Sequence, residues 1–193
     1  MIGKFFKLFS VFNIHIFNIS LPSNFFRNIL PIKVEPEIDL NSYLGNWTQV
    51  ATSRSTKLFG TGIDFRNVSA DYQLLNNNNI SVFNCGLDGQ KNYTSIKGYS
   101  YSKNKLATKR KVSFEGVPME GSYWIVKLGP IKNGQYQYAI VSGPLTSWLG
   151  TRFSLYVLAR DSQEYVDNYE SEVMDWCQDN NYVFFWNQYV RTI

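Results

Sequence analysis

From residue 41 onward, short runs of Val, Ile, Tyr, Phe and Thr recur about every 10–15 residues, with Gly, Asn, Pro and Lys between them. This rhythm is the strongest constraint on the fold. Runs of that length suit half-buried strands, and regularly spaced strands joined by tight turns build a sandwich or a barrel. Strands are expected near 46–54, 65–75, 79–85, 92–101, 107–114, 121–128, 135–142 and 152–160. The run Asn76–Asn79, Lys103-Asn104 and Asn133-Gly134 supply turns between them.

One helix follows the strands. Asp161 with Glu164 three residues on has the form of an N-cap and its reciprocal partner. Val166, Tyr169, Val173 and Trp176 fall on one helical face with Cys177 beside them. Asp167, Glu170, Glu172, Asp175 and Asp179 lie on the other face, which is expected to be solvated. Tyr182–Val190 is aromatic and extended, the material of a short last strand.

Composition removes several function classes. A single histidine and two cysteines exclude most metal sites and any disulfide scaffold. A histidine-dependent nucleophile would have to use His15, in the N-terminal segment. No catalytic group, metal or cofactor is therefore expected. The net charge of +4 sits wholly in residues 1–34, where Lys4, Lys7, Arg27 and Lys33 meet no acid. The rest of the chain is neutral, and a nucleic-acid partner is not expected, because phosphate binding needs a basic excess on the folded body. Lys105, Lys109, Arg110 and Lys111 read as a solvated hairpin.

Residues 1–34 stand apart from the body, residues 35–193. Two lysines precede the apolar stretch Leu8–Ile19, and Pro22 ends any helix there. Three readings stay open: a targeting segment, an interfacial helix that meets a membrane surface, or an extension docked on the body or a partner. Pro31 and Pro36 mark a linker. The segment favours a secreted, organellar or membrane-associated location, while the compartment itself and the oligomeric state are left open.

Several motifs resemble the lipocalin family, in particular its bacterial outer-membrane and apolipoprotein D branch, across about residues 37–193. They are Asp39-Leu40-Asn41-Ser42-Tyr43-Leu44-Gly45-Asn46-Trp47, Val68–Leu74 followed by Ile80-Ser81-Val82, Tyr138–Pro144, and Leu155–Arg160. The resemblance implies an all-β fold: an eight-stranded antiparallel up-and-down β-barrel with one C-terminal α-helix and a short final strand. Closure of eight strands removes sheet edges and leaves room for one small molecule, so strand rhythm and resemblance agree. It also implies that Gly45 and Trp47 open the first strand and that Trp47 plugs the closed end with Arg160 across its ring. Where the branch continues Trp-Tyr-Glu, this chain has Trp47-Thr48-Gln49, an amide in place of a carboxylate.

Strand alternation then names candidate cavity-lining residues. Counting from Trp47 gives Gln49 and Ala51, and counting back from Arg160 gives Leu158 and Tyr156. The second strand offers Ala70, Tyr72 and Leu74, the fifth Val112 and Phe114, and the seventh Tyr136 and Tyr138. Such a lining is uncharged and aromatic. The expected function is non-covalent binding and transport or storage of a hydrophobic ligand such as a fatty acid, lysophospholipid, sterol or isoprenoid. The competing expectation is a non-transporting subunit with a filled barrel and a docking N-terminal arm. Cys85 and Cys177 are expected as two free thiols, with no enzymatic role.

Overall fold

The computed structural model describes residues 32–58, 65–103, 106–147, 150–185 and 187–193. The expectations for residues 1–31, and for Asn104 and Lys105, lie outside the described residues. Eight strands form the barrel: β1 (Gly45–Ser53), β2 (Arg66–Leu74), β3 (Ile80–Leu87), β4 (Tyr93–Tyr101), β5 (Lys109–Phe114), β6 (Gly121–Leu128), β9 (Tyr138–Ser147) and β10 (Gly150–Ala159). Each pairs antiparallel with the next, and β10 returns to β1, so the sheet closes. A ninth strand, β11 (Tyr189–Arg191), joins the outer side of the sheet at β1 opposite Ala51–Ser53.

The turns follow the local chemistry. Asn77 and Asn78 have φ of 61° and 59° in the turn after β2, a conformation asparagine tolerates. Between β7 (Ile131–Lys132) and β8 (Gln135–Tyr136), Asn133 and Gly134 take φ of 52° and 75°, the two left-handed residues a tight hairpin requires. A short helix, α1 (Leu40–Tyr43), leads into β1, and a second turn, α2 (Arg54–Thr56), follows it; the Asp39 carboxylate caps α1 by accepting from the Asn41 amide at 3.0 Å.

The expected single C-terminal helix is two: α3 (Ser162–Asn168) and α4 (Glu170–Asp179), parted at Tyr169, whose φ of −127° leaves the helical region. Asp161 caps α3 by accepting from the Glu164 amide at 2.7 Å. Glu164 does not complete the reciprocal bond, because its carboxylate takes the Lys132 ammonium at 2.6 Å. The acidic face is only partly solvated. Glu170 is buried and paired with Arg191, and Glu172 accepts from Lys127 and from the Tyr138 hydroxyl, each at 3.0 Å.

Two apolar cores result. One lies between the helices and the outer barrel wall: Val50, Ala51, Val126, Tyr138, Ile140, Leu155 and Val157 beneath Tyr165, Val173 and Cys177. Ile32 and Val34 pack against this same cluster. The other fills the lower barrel around Trp47, Tyr43, Tyr72, Ile80, Val82, Ile125, Val141 and Leu158. In an up-and-down barrel successive loops alternate between ends, so Trp47 and Arg160 mark one end, and the segments 88–92 and 115–120 mark the mouth.

Candidate ligand-binding interior

The closed end is built around Trp47. Its ring is 1% exposed, and Nε1 donates to the Tyr43 carbonyl at 2.9 Å. The Arg160 guanidinium lies over the ring, 3.7 Å from its centroid. Nη2 donates to the carbonyls of Ser42, Tyr43 and Leu44, Nη1 to Asn46 at 2.7 Å, and Nε to Tyr136 at 3.2 Å. The α1 turn and the first residues of β1 therefore hang on one side chain. Burial holds the Arg160 guanidinium down to about 10, against its ordinary value of 12.5.

Above the plug lies a layer of tyrosines. Tyr43 stacks on Tyr72 at 5.9 Å between centroids, and Tyr72 meets Tyr123 edge-on at 6.2 Å. Their hydroxyls form a chain: Tyr43 to Tyr123 at 2.5 Å, and Tyr123 donating to Tyr72 at 3.0 Å. Burial pushes Tyr72 up to about 12 and Tyr43 and Tyr123 well above their ordinary value, so the three phenols stay neutral. The space among Tyr43, Tyr72, Ile80, Val82, Ser100 and Tyr123 is too narrow for a water molecule. The lower barrel is packed.

Arg110 belongs to this floor. The expectation of a solvated basic hairpin fails for it, because its side chain is 1% exposed. Nε donates to Ser100 Oγ at 2.9 Å, Nη1 to the Ala107 carbonyl at 3.2 Å, and Nη2 to the carbonyls of Asn78 and Ser100 at 2.7 and 3.0 Å. These partners fasten the turns after β2 and β4 to β5. Residues 109–114 alternate, so one basic residue in a run of four had to point inward. Lys109 points out and sits 4.3 Å from the Trp124 ring centroid.

Strand register sorts the expected lining. Trp47 pairs with Ala70, Ala70 with Asn84 and Asn84 with Ile96; Gly45 pairs with Tyr72, Tyr72 with Val82, Val82 with Gly98 and Gly98 with Phe114. Gln49 lies opposite Leu158, and Val141 opposite Tyr156. Gln49, Ala70, Tyr72, Val112, Phe114, Tyr156 and Leu158 thus face inward. Gly98 gives the Phe114 ring its place, since a Cβ there would come within 2.7 Å of the ring.

Three expected residues are elsewhere. Ala51 faces the helices, because a bulge between Gln49 and Ala51 puts one extra residue into β1 and inverts its alternation. Tyr138 is also turned outward. The strand expected over 135–142 is interrupted between Tyr136 and Tyr138, and Ala139, opposite Leu158, takes the inward place. Leu74 is 48% exposed at the closed end, beyond the packed interior. Tyr136 packs at the closed end, where its hydroxyl accepts from the Asp39 amide at 3.2 Å. Alternation alone missed Asn84, Ile96 and Tyr123, which register places inside.

Higher in the barrel the inward side chains change character. Asn84, Thr94, Ile96, Phe114 and Tyr156 are only half-buried, whereas Ile80, Val82, Ser100, Ile125 and Val141 below them are buried. Among the described residues, the upper interior is thus reached by solvent. Burial pushes the Tyr156 phenol up to about 12. Both cysteines are free: Cys177 is buried under the helices, with its thiol pushed up to about 12, and Cys85 shares the outer face with Ser69, 3.0 Å away. No group of three or more metal-ligating side chains occurs among the described residues.

A closed eight-stranded antiparallel barrel with an aromatic plug at one end and a solvent-reached apolar interior at the other defines a class, the small-molecule-holding β-barrels. The chain belongs to the lipocalin-like family, whose domain matches residues 38–183. Members of that family generally bind and transport small hydrophobic molecules. The chain is 37% identical over 124 residues to the outer membrane lipoprotein Blc of Vibrio cholerae, covering 62% of this chain and 68% of that protein. Among solved structures, apocrustacyanin C1 superposes with a TM-score of 0.58 at 15% identity, over 80% of this chain and 79% of that one. Lobster apocrustacyanin A1 does so with a TM-score of 0.57 at 15% identity, over 86% and 93%.

Proposed function

We propose that the chain binds a small hydrophobic molecule in the upper barrel and carries or stores it. One observation carries this reading: inward side chains from Asn84 to Tyr156 are only half-buried above a floor that is closed and packed. A filled barrel would bury both levels alike. Transfer of an alkyl chain into such a space gains roughly 0.8 kcal/mol per CH₂ removed from water. The uncharged lining favours a long acyl chain or a polycyclic body over a small ion.

The relative's description as an outer membrane lipoprotein supports placing this activity at a membrane surface, with residues 1–34 as the attached segment. Their charge of +4 against a neutral body supports the same reading.

The test is titration with the neutral fluorescent probe N-phenyl-1-naphthylamine, followed by displacement with fatty acids, lysophospholipids, sterols and isoprenoids. Binding at micromolar Kd or tighter is expected, about −8 kcal/mol. A folded protein that binds no member of the panel would sink the reading and leave the subunit with a docking arm.

A further inference from the structure

Three inward polar side chains in the middle of the barrel have no hydrogen-bond partner among the described residues. Gln49 is 7% exposed, yet its carboxamide makes no hydrogen bond among the described residues. Asn84 Oδ1 is buried and likewise unpaired. The Tyr156 hydroxyl meets no hydrogen-bonding group among the described residues, and burial raises its pKa. The register puts all three on the inner wall above the plug: Gln49 is the next inward residue after Trp47, Asn84 lies in the row of Trp47 and Ala70, and Tyr156 follows Leu158.

A buried carbonyl oxygen is nearly always satisfied, so the unpaired Asn84 Oδ1 calls for a partner, and Gln49 and Tyr156 add two inward polar groups that no described protein atom engages. Their chemistry is specific. Together they offer N–H and O–H donors and carbonyl acceptors, and none is charged. Two guanidiniums lie at the closed end, and both are spent: Arg110 on Ser100, Ala107 and Asn78 below the tyrosine layer, and Arg160 on the carbonyls around Trp47. A ligand carboxylate at this level, with its own tail shutting out the solvent above, would be desolvated without a counter-charge, whereas a hydroxyl or carboxamide would be matched on both donor and acceptor sides.

We infer that Gln49, Asn84 and Tyr156 form an inner polar subsite for the uncharged head of an amphiphile. The ligand is a long-chain alcohol, amide or comparable neutral lipid, and it enters head first with its apolar tail toward the mouth. This rests on the binding function proposed above and adds the ligand's class and orientation.

The experiment displaces N-phenyl-1-naphthylamine with a matched series sharing one twelve-carbon chain: 1-dodecanol, dodecanamide and, at about pH 8, ionised dodecanoate. The expected result is that alcohol and amide displace the probe at roughly tenfold lower concentration than the carboxylate. Gln49→Leu and Asn84→Leu should each erase most of that preference while still binding the probe. Circular dichroism and the melting temperature check that both variants are folded. Tyr138→Phe, on the outer wall, should leave the preference unchanged.

Equal displacement by alcohol and carboxylate, or a preference untouched in both leucine variants, would overturn the subsite while leaving the binding function standing. Failure of the probe and of all three ligands to bind would remove both.

Discussion

The Arg160 guanidinium lies 3.7 Å from the centre of the Trp47 ring and donates to five backbone carbonyls around it. Cation–π attraction to a partly desolvated ring is worth about 0.5–2 kcal/mol. The larger effect is geometric, because one planar fork satisfies carbonyls from α1, the start of β1 and β8 at once. Trp47→Ala should therefore cost about 3–5 kcal/mol as a large core truncation. Arg160→Lys keeps the charge but cannot span those carbonyls, and should cost roughly 1–3 kcal/mol. Urea unfolding of each variant checks this. An unchanged midpoint for Trp47→Ala would show that the closed end is not built on the plug.

Most of the barrel was legible because closure rests on periodicity and turn chemistry, both local. Trp47 and Arg160 were legible as a spaced motif. What was lost depends on long-range register. The bulge after Gln49 turns Ala51 from inside to outside, and nothing in Gln49-Val50-Ala51 announces an extra residue. Tyr136, Tyr138 and Ile140 look like one face until the hairpin at Asn133-Gly134 ends a strand between the first two. The break at Tyr169 was hidden because Glu170 reads as one more surface acid, and its partner Arg191 lies twenty-one residues away.

Arg110 is a buried cation whose described partners are all neutral. It stays ionised because carbonyls and a hydroxyl solvate it, and burial lowers its pKa from the ordinary arginine value. Hydrogen bonds to a charged group contribute about 1.5–3 kcal/mol each, and their removal also leaves the carbonyls of Asn78, Ala107 and Ser100 without this donor. Arg110→Ala is expected to destabilise by roughly 3–5 kcal/mol. Differential scanning calorimetry gives the measurement. A loss below about 1 kcal/mol would mean that water replaces the guanidinium without cost.

The buried tyrosines make the barrel sensitive to alkali. Tyr72, Tyr156 and Tyr182 are pushed up to about 12 by burial, and Tyr43 and Tyr123 are raised as well. An unfolded phenol ionises near 10. Between those values the folded chain holds protons that the unfolded chain releases. The phenols' contribution is whole below pH about 10 and declines as pH rises toward about 12. Arg160, lowered to about 10, acts in the opposite sense over the same range, but it is one group against several. Urea midpoints should fall steadily above pH about 10. Phenolate absorbance of the buried tyrosines should appear only with unfolding. Reversible ionisation of the full set in an intact barrel would contradict this.

Tyr138 and Tyr156 separate the two walls of one sheet. Tyr138 is 1% exposed between β9 and the helices, 5.4 Å from Tyr169 and 6.3 Å from Tyr165 between ring centroids, with its hydroxyl on Glu172. Tyr156 faces the interior and is half-buried. A carboxylate at position 138 would be buried against Glu172, with the Lys127 ammonium already engaged by that acid at 3.0 Å. Tyr138→Asp should therefore cost stability, about 2–4 kcal/mol, and leave any remaining folded protein able to bind an apolar probe normally. Tyr156→Asp places its charge where solvent reaches, so the fold should persist with a melting temperature within a few degrees of the parent. Its probe affinity should drop roughly 10- to 100-fold, because a desolvated carboxylate opposes an apolar ligand. Thermal melts and probe titrations on both variants give the four numbers needed. If Tyr138→Asp lost the probe at full stability while Tyr156→Asp unfolded, the ligand would lie between barrel and helices rather than within the barrel.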